Sequence, residues 1–230
     1  MFANFDFDVI VRSLPYLFYQ GMTFTLLLTA LATCGGIVIG TLLAMMRLSG
    51  VPLLAAPAAA YVNLMRAVPF VLMIFWFYFL VPYIGRWITM SAQPVRVGAF
   101  ASCLITFTLF EAAFFCEIMR AGIQSIPRGQ VAAAQALGMT YAAVMGYVVL
   151  PQAFRNMVPV LLTQTIVLFQ DTSLVYVISV TDFLGAASKV AERDGRLVEM
   201  YTFAAGVYFV ISLGASRAVQ YLHRRVAIIR

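Results

Sequence analysis

Residues 68–84 and 158–167 form apolar runs without a charged side chain, and no other feature of the 230-residue chain restricts its fold more. Backbone N–H and C=O groups inside hydrocarbon must pair within the protein, so such runs cross a bilayer only as helices or as strands of a closed barrel. Barrel strands alternate polar and apolar residues, whereas these segments are apolar on all sides, which leaves helices. The chain is 63% hydrophobic and 10% charged, and a helical crossing takes ~20 mainly apolar residues. About five spans are expected, over residues 23–46, 61–83, 97–118, 158–179 and 198–222. The fold class is an all-α integral membrane protein with a single domain over 1–230.

The start of the chain has Asp6 and Asp8 and no basic residue ahead of its apolar part, so it lacks the positive n-region of a cleavable signal and is expected to be retained. Residues 5–19 mix Asp6, Asp8 and Arg12 with spaced apolar residues, a pattern for an amphipathic helix lying at the membrane surface. Within the first span, Gly36 and Gly40 form a GxxxG pair, open to packing inside the subunit or to a dimer seam. Cys34, Cys103 and Cys116 fall in expected spans without metal-like spacing, so they read as small packing residues and not as a disulfide or metal framework. No metal site and no catalytic residue is expected; the one histidine, His223, lies in the tail.

Residues 47–57, with two prolines and a Ser-Gly pair, read as a turn-rich connection. Residues 84–96 read as a short loop with Trp87 at the interface, and 180–197 as a polar exit loop. Glu117 and Arg120 are three apart and suit an ion pair on one helix face; Glu111, deeper in the third span, has no local partner in the sequence. In the fourth span Thr163, Gln164 and Thr165 recur seven residues later as Gln170, Asp171 and Thr172, which places them on one polar side. Asp171 lies 13 residues past Val158, ~20 Å along a helix and well inside the hydrocarbon.

The net charge of +6 is spread between spans and not gathered into a stripe with interleaved aromatics, so nucleic acid is not an expected partner and orientation explains it better. Five spans put the termini on opposite sides. One side collects Arg47, Arg66, Arg120, Arg128, Arg155, Arg217, Arg224, Arg225 and Arg230; the other has Arg12, Arg86, Arg96, Lys189, Arg193 and Arg196. The excess of basic residues on cytoplasmic segments therefore sets the N-terminus outside and the C-terminus inside, with residues 129–151 cytoplasmic.

Residues 129–151, GQVAAAQALGMTYAAVMGYVVLP, are too polar to span and too rich in helix formers to be a floppy linker. Gly138 can end a short helix, and Pro151 can open the next. Ala133, Ala134 and Gly138, then Val148, Leu150 and Pro151 after nine residues, resemble the EAA signature of permease subunits of ATP-binding cassette importers, with Ala132 where that family usually has Glu. The likeness continues over 61–183: Arg66, Ala67, Val68 and Pro69 at the start of a span, EIMRAGIQSIPRGQ, and FQDTSLVYVIS all resemble polar amino acid permeases, and YVNLMRAVPF and WFYFLVP look most like the glutamate/aspartate system.

The resemblance implies a type I importer. Its partners would be a second permease subunit (a homo- or heterodimer, hetero favoured), two ATPase subunits, an extracytoplasmic solute-binding protein, membrane lipid and an amino acid substrate. The ATPase contact would be a cytoplasmic coupling helix between spans 3 and 4 that includes Ala132, Ala133, Ala134, Leu137, Gly138, Met139, Thr140 and Pro151. The substrate path would draw on Gln164, Gln170, Asp171, Thr172, Ser173, Arg66 and Glu111, with Asp171, Thr172 and Ser173 facing the ammonium group; Asp171 could equally cap a break in the span or pair with another helix. Arg66 is either an anchor at the interface or an inward-facing cation. No GxxxxGK[ST] loop is present to cradle phosphates, so ATP and Mg belong to the partner ATPase and this chain is a non-catalytic subunit. An ion-coupled secondary transporter would also explain the spans and Asp171, but five spans without an inverted repeat speak against it.

Overall fold

A computed structural model describes residues 5–95 and 97–226, and among these every regular element is helical. Five helical stretches are long and apolar enough to cross a membrane. Arg96 and Arg230, used above to set orientation, lie outside the described residues.

The first stretch runs 42 residues, from Phe7 to Leu48. It comprises α1 (Phe7–Tyr16), a run of π turns (Leu17–Met22) and α2 (Thr23–Leu48). The Asp6 carboxylate starts it by accepting from the N–H groups of Asp8 at 2.9 Å and Val9 at 3.4 Å. The separate surface helix expected over 5–19 is thus the first part of a continuous run. Gly21 does not break it: a Cβ there would come within 2.9 Å of Ala186 Cβ and Phe183 Cα, so this glycine permits a close helix crossing instead.

Next come α3 (Pro52–Ala67) and α4 (Phe70–Thr89). The second span was expected to begin at Tyr61. The helix instead breaks at Val68, held extended (φ −103°, ψ 136°) by the following Pro69. Residues 47–57 are correspondingly less turn-like than expected, because Pro52 sits in the first turn of α3, where a missing N–H costs nothing. At the far end α4 continues past Trp87 to Thr89, closed by Met90 in the left-handed conformation.

The centre of the fold is α5 (Ala99–Gln124), whose Phe107, Ala112, Ala113, Phe115 and Cys116 are buried. Against it lies α2. The Gly36–Gly40 pair is an intrasubunit seam: a Cβ at Gly40 would meet the backbone Ala112 O and Cys116 N at 2.9 Å, and one at Gly36 would meet the Phe115 ring. Two of the cysteines, Cys103 and Cys116, pack as expected; Cys34 is exposed.

The remainder is α6 (Arg128–Ala136), α7 (Tyr141–Val144), a π run (Met145–Val149), α8 (Leu150–Asp171), a 3-10 run (Thr172–Ile178), α9 (Phe183–Asp194) and α10 (Leu197–Val226). From Tyr141 to Ile178 the chain is one helical stretch of 38 residues. Pro151 stands in the first turn of α8, as expected, although the helical run continues into it without a break. It lies just beyond the π run, where the widened turns accommodate its missing donor. Residues 183–194, expected as loop, form α9 between two cap signals, Asp182 and the left-handed Gly195.

Among the described residues, buried apolar side chains gather in three clusters, one of them joining α2, α4, α5 and α8 through Leu28, Ile74, Phe107 and Leu168. Another joins α2, α3, α5 and α8 to Ala134 of α6 and Val144 of α7. The third joins α1, α9 and α10 through Val9, Phe183, Ala187 and Met200. Along the spans, several threonine hydroxyls donate to carbonyls one turn back, as Thr29 to Thr25 O (2.7 Å) and Thr106 to Ser102 O (2.8 Å), while Thr33 and Ser212 are buried without a partner among the described residues.

Candidate functional site

Two places combine exposure with unusual chemistry: the turn after α6 and the polar face of α8. In the first, the alanine-rich α6 ends in a Schellman motif. The Gly138 N–H donates to Gln135 O at 2.9 Å and the Met139 N–H to Ala134 O at 3.2 Å, with Gly138 at φ +82°. The three residues between Ala134 and Gly138 are the length this motif needs. Thr140 then caps α7, its Oγ1 accepting from the Ala143 N–H at 3.3 Å.

Ala134 is buried in the core, and Met139 packs partly against it. Ala132 and Ala133 face outward, and Leu137 at the tip is 84% exposed. Tyr141 is exposed beside it. The element is fastened from behind: Gln152 Nε2 donates to Gln130 Oε1 at 2.7 Å, and Asn156 Nδ2 to Ser125 Oγ at 3.0 Å. An apolar knob results, tied to α8, which is itself tied to the end of α5.

On the polar face of α8, Gln164 Nε2 donates to Glu111 Oε2 at 3.0 Å across the α5–α8 contact. Glu111 is fully buried and its Oε1 has no partner among the described residues. Asp171 is half-buried at the seventh residue past Gln164, two turns along the same face. These three come together as a column. Ser173 is half-buried beyond it.

The other expected path residues do not join the column. Thr172 is buried and turns its hydroxyl back onto Phe169 O at 2.7 Å, which removes it from a surface a ligand could reach. Thr163 and Thr165 likewise bond their own helix, at Pro159 O and Leu161 O. Gln170 is exposed, one position off the face of Asp171. Arg66 lies elsewhere, 3.6 Å from Glu117 Oε1 and over the Phe114 ring at 5.6 Å. There Glu117 also pairs with Arg120 at 2.7 Å, as expected, and with Arg47 from α2, which the local spacing could not reveal.

A further polar centre escaped the sequence reading. Asp182 is fully buried, caps α9 by accepting from Leu184 N–H (3.0 Å) and Gly185 N–H (2.8 Å), and is within 3.5 Å of the Tyr208 hydroxyl of α10. Burial pushes its carboxyl up to about 6 against the pull of those amides. Thr25 Oγ1 of α2 accepts the Phe183 N–H at 3.1 Å, so α9 is bolted to both flanking spans. An aspartate followed by a regular apolar pattern and closed by Gly195 was the available signal. At the exposed end of α9, Asp194 is held below the usual carboxylate range, first by its hydrogen bonds from Arg193; Arg12 of α1 also reaches it at 3.0 Å.

Residues 36–228 match the family described as binding-protein-dependent transport system inner membrane component. The chain is 53% identical to the glutamate/aspartate import permease protein GltK of Escherichia coli O157:H7, over 97% of this chain and 99% of that one. It is 32% identical to the probable glutamine ABC transporter permease protein GlnM of Bacillus subtilis, over 91% and 93% of the two. In structure it resembles the crystal structure of an amino acid ABC transporter with histidines, at a TM-score of 0.85 and 32% identity over 96% of this chain and 98% of that chain.

Proposed function

Because the chain belongs to the family of binding-protein-dependent transport inner membrane components, it is a multi-pass inner-membrane permease subunit of an amino acid ATP-binding cassette importer, and we propose that it carries glutamate and aspartate. The single observation that carries the substrate is the 53% identity to a glutamate/aspartate permease along nearly the whole of both chains.

The working unit is this chain with a second permease subunit, two ATPase subunits that hold ATP and Mg, and an extracytoplasmic solute-binding protein. The N-terminus and α9 face outward; α6, its turn and the C-terminal arginines face the cytoplasm, in keeping with the basic excess at that end. The helix α6 docks into the ATPase through Leu137, Tyr141 and the outward faces of Ala132 and Ala133, so the contact rests on shape and apolar area where a carboxylate at position 132 is absent. Its fastening to α8, and that of α8 to the end of α5, support a rigid-body role: movement of the ATPases displaces the turn, and α5 and α8 follow as one unit.

Between those two helices the Gln164–Glu111 pair and Asp171 line the path. Hydrogen bonding of the Gln164 amide to Glu111 directs its carbonyl away, as an acceptor for the substrate ammonium group, and Asp171 offers the charge complement two turns on. Another polar amino acid fits the same machinery, as the resemblance to a glutamine permease keeps in view.

Reconstitution of the chain with its neighbouring permease, ATPase and binding protein tests the proposal. ATP-dependent uptake of labelled glutamate, inhibited by aspartate and not by glutamine, is the expected result. Uptake driven by a proton gradient alone would reject the importer reading, and preference for glutamine would reject the substrate.

A further inference from the structure

Of the nine acidic residues in the chain, Glu117 is the one that stands among the arginines at the α6 end of the spans, and three of them converge on it. Arg47 comes from the last turn of α2, Arg66 from the last turn of α3, and Arg120 from α5 itself. The carboxylate is fully used. Its Oε1 takes Arg47, and its Oε2 takes Arg120 Nε at 3.1 Å and Nη2 at 2.7 Å. Arg120 also donates to Gln124 Oε1 at 2.7 Å.

Arg66 differs from the other two. It stands 3.6 Å from Glu117 Oε1, too far for a hydrogen bond, and lies over the Phe114 ring with its side chain 44% exposed. Its planar fork is thereby oriented, while its donors make no hydrogen bond among the described residues, and the cluster holds three positive charges against one negative. Arginine forks match the oxygens of a phosphate or carboxylate. The setting selects between them: α2 ends one residue past Arg47, and α3 leaves Leu53 and Leu64 exposed to the surroundings. That is a helix meeting hydrocarbon at headgroup depth, where basic pockets between helices take lipid phosphates.

We propose that Arg66, backed by the Arg47–Glu117–Arg120 cluster, is a binding site for the phosphate of an anionic lipid headgroup. Glu117 holds Arg47 and Arg120 in place and leaves their excess charge to attract the phosphate, and Arg66 supplies the paired hydrogen bonds. The site does not depend on the identity of the transported amino acid.

The test uses the complete transporter in nanodiscs of phosphatidylcholine with about a fifth phosphatidylglycerol, followed by native mass spectrometry of the lipid that stays bound on transfer to detergent. The wild type is expected to retain phosphatidylglycerol in preference to phosphatidylcholine. Arg66→Gln should weaken that retention about tenfold, Arg66→Lys should lose less because the charge remains, and Arg155→Gln, at an exposed arginine of the same end, should lose none. Equal retention by wild type and Arg66→Gln would overturn the proposal, as would an equal loss in Arg155→Gln, which would mean diffuse charge and no site. Displacement of the lipid signal by millimolar free glutamate would also overturn it, by assigning the cluster to a substrate carboxylate. If Arg66→Gln does not assemble, the Arg66→Lys and Arg155→Gln comparison decides alone: loss in the first and not the second supports the site, and no difference rejects it.

Discussion

Replacing Asp182 by Asn should abolish a pH dependence that wild-type α9 shows. The carboxyl is buried at the cap of α9 and titrates near 6, against 3.8 for an unperturbed aspartate. The docked state therefore holds a proton more tightly than the undocked one. That contribution to docking is fully present below about pH 3.8 and is lost as pH rises through about 6. The whole shift of about two units corresponds to about 3 kcal/mol. Between pH 7 and pH 5 the docked state gains about half of it, or roughly tenfold in equilibrium constant. Asparagine keeps the shape and the two amide bonds of the cap, and it is a strong N-cap residue, but it holds no titrating proton. Hydrogen exchange of the α9 amides, corrected for intrinsic rates, reads this directly. In the wild type the protection factors should rise about tenfold from pH 7 to pH 5, and in Asp182→Asn they should stay level. A level wild-type profile, or the same slope in the asparagine variant, would refute the assignment of burial as the dominant influence on this carboxyl.

Three further perturbations probe the rest of the fold and the path. Gly40→Leu drives a side chain into the backbone of α5 at Ala112 and Cys116 and should cost about 3 kcal/mol or prevent folding, read as a lower midpoint in thermal unfolding of the detergent-solubilised protein. Glu111→Leu leaves Gln164 without its partner and should lower substrate transport about tenfold or more while ATPase association persists; Glu111→Gln, which keeps an acceptor, should lose much less. Gly138→Val forces a β-branched residue to φ +82° at a cost of about 1–2 kcal/mol or more; with open space around that position, the chain should still insert, and the loss should appear as ATP hydrolysis no longer matched by uptake.

How far the sequence could be read depended on whether each signal was local. Apolar run length set five crossings, and Gly138 announced the end of α6 because only the residue just past the helix must adopt the left-handed form. The Glu117–Arg120 pair was legible from its three-residue spacing, but Arg47 joins it from 70 residues away, through tertiary packing that no window detects. The break at Val68 was written in Pro69; the apolarity of 61–83 on both sides masked it. Asp182 and Gly195 bracket α9 with the usual cap residues, and the charges between them, Lys189, Glu192 and Arg193, made the stretch read as loop although its opposite face is buried. On α8 the seven-residue repeat identified the polar side, and it could not foretell that Thr172 would spend its hydroxyl on its own helix.

The most direct test of force transfer through α6 places a photo-crosslinking residue at Leu137 in the assembled transporter, with a second version at Phe209 of α10 as a control on another exposed surface. The Leu137 version should form an adduct with the ATPase subunit and the Phe209 version none. An assembled, ATPase-containing complex that yields no adduct from Leu137 would contradict the coupling role of α6.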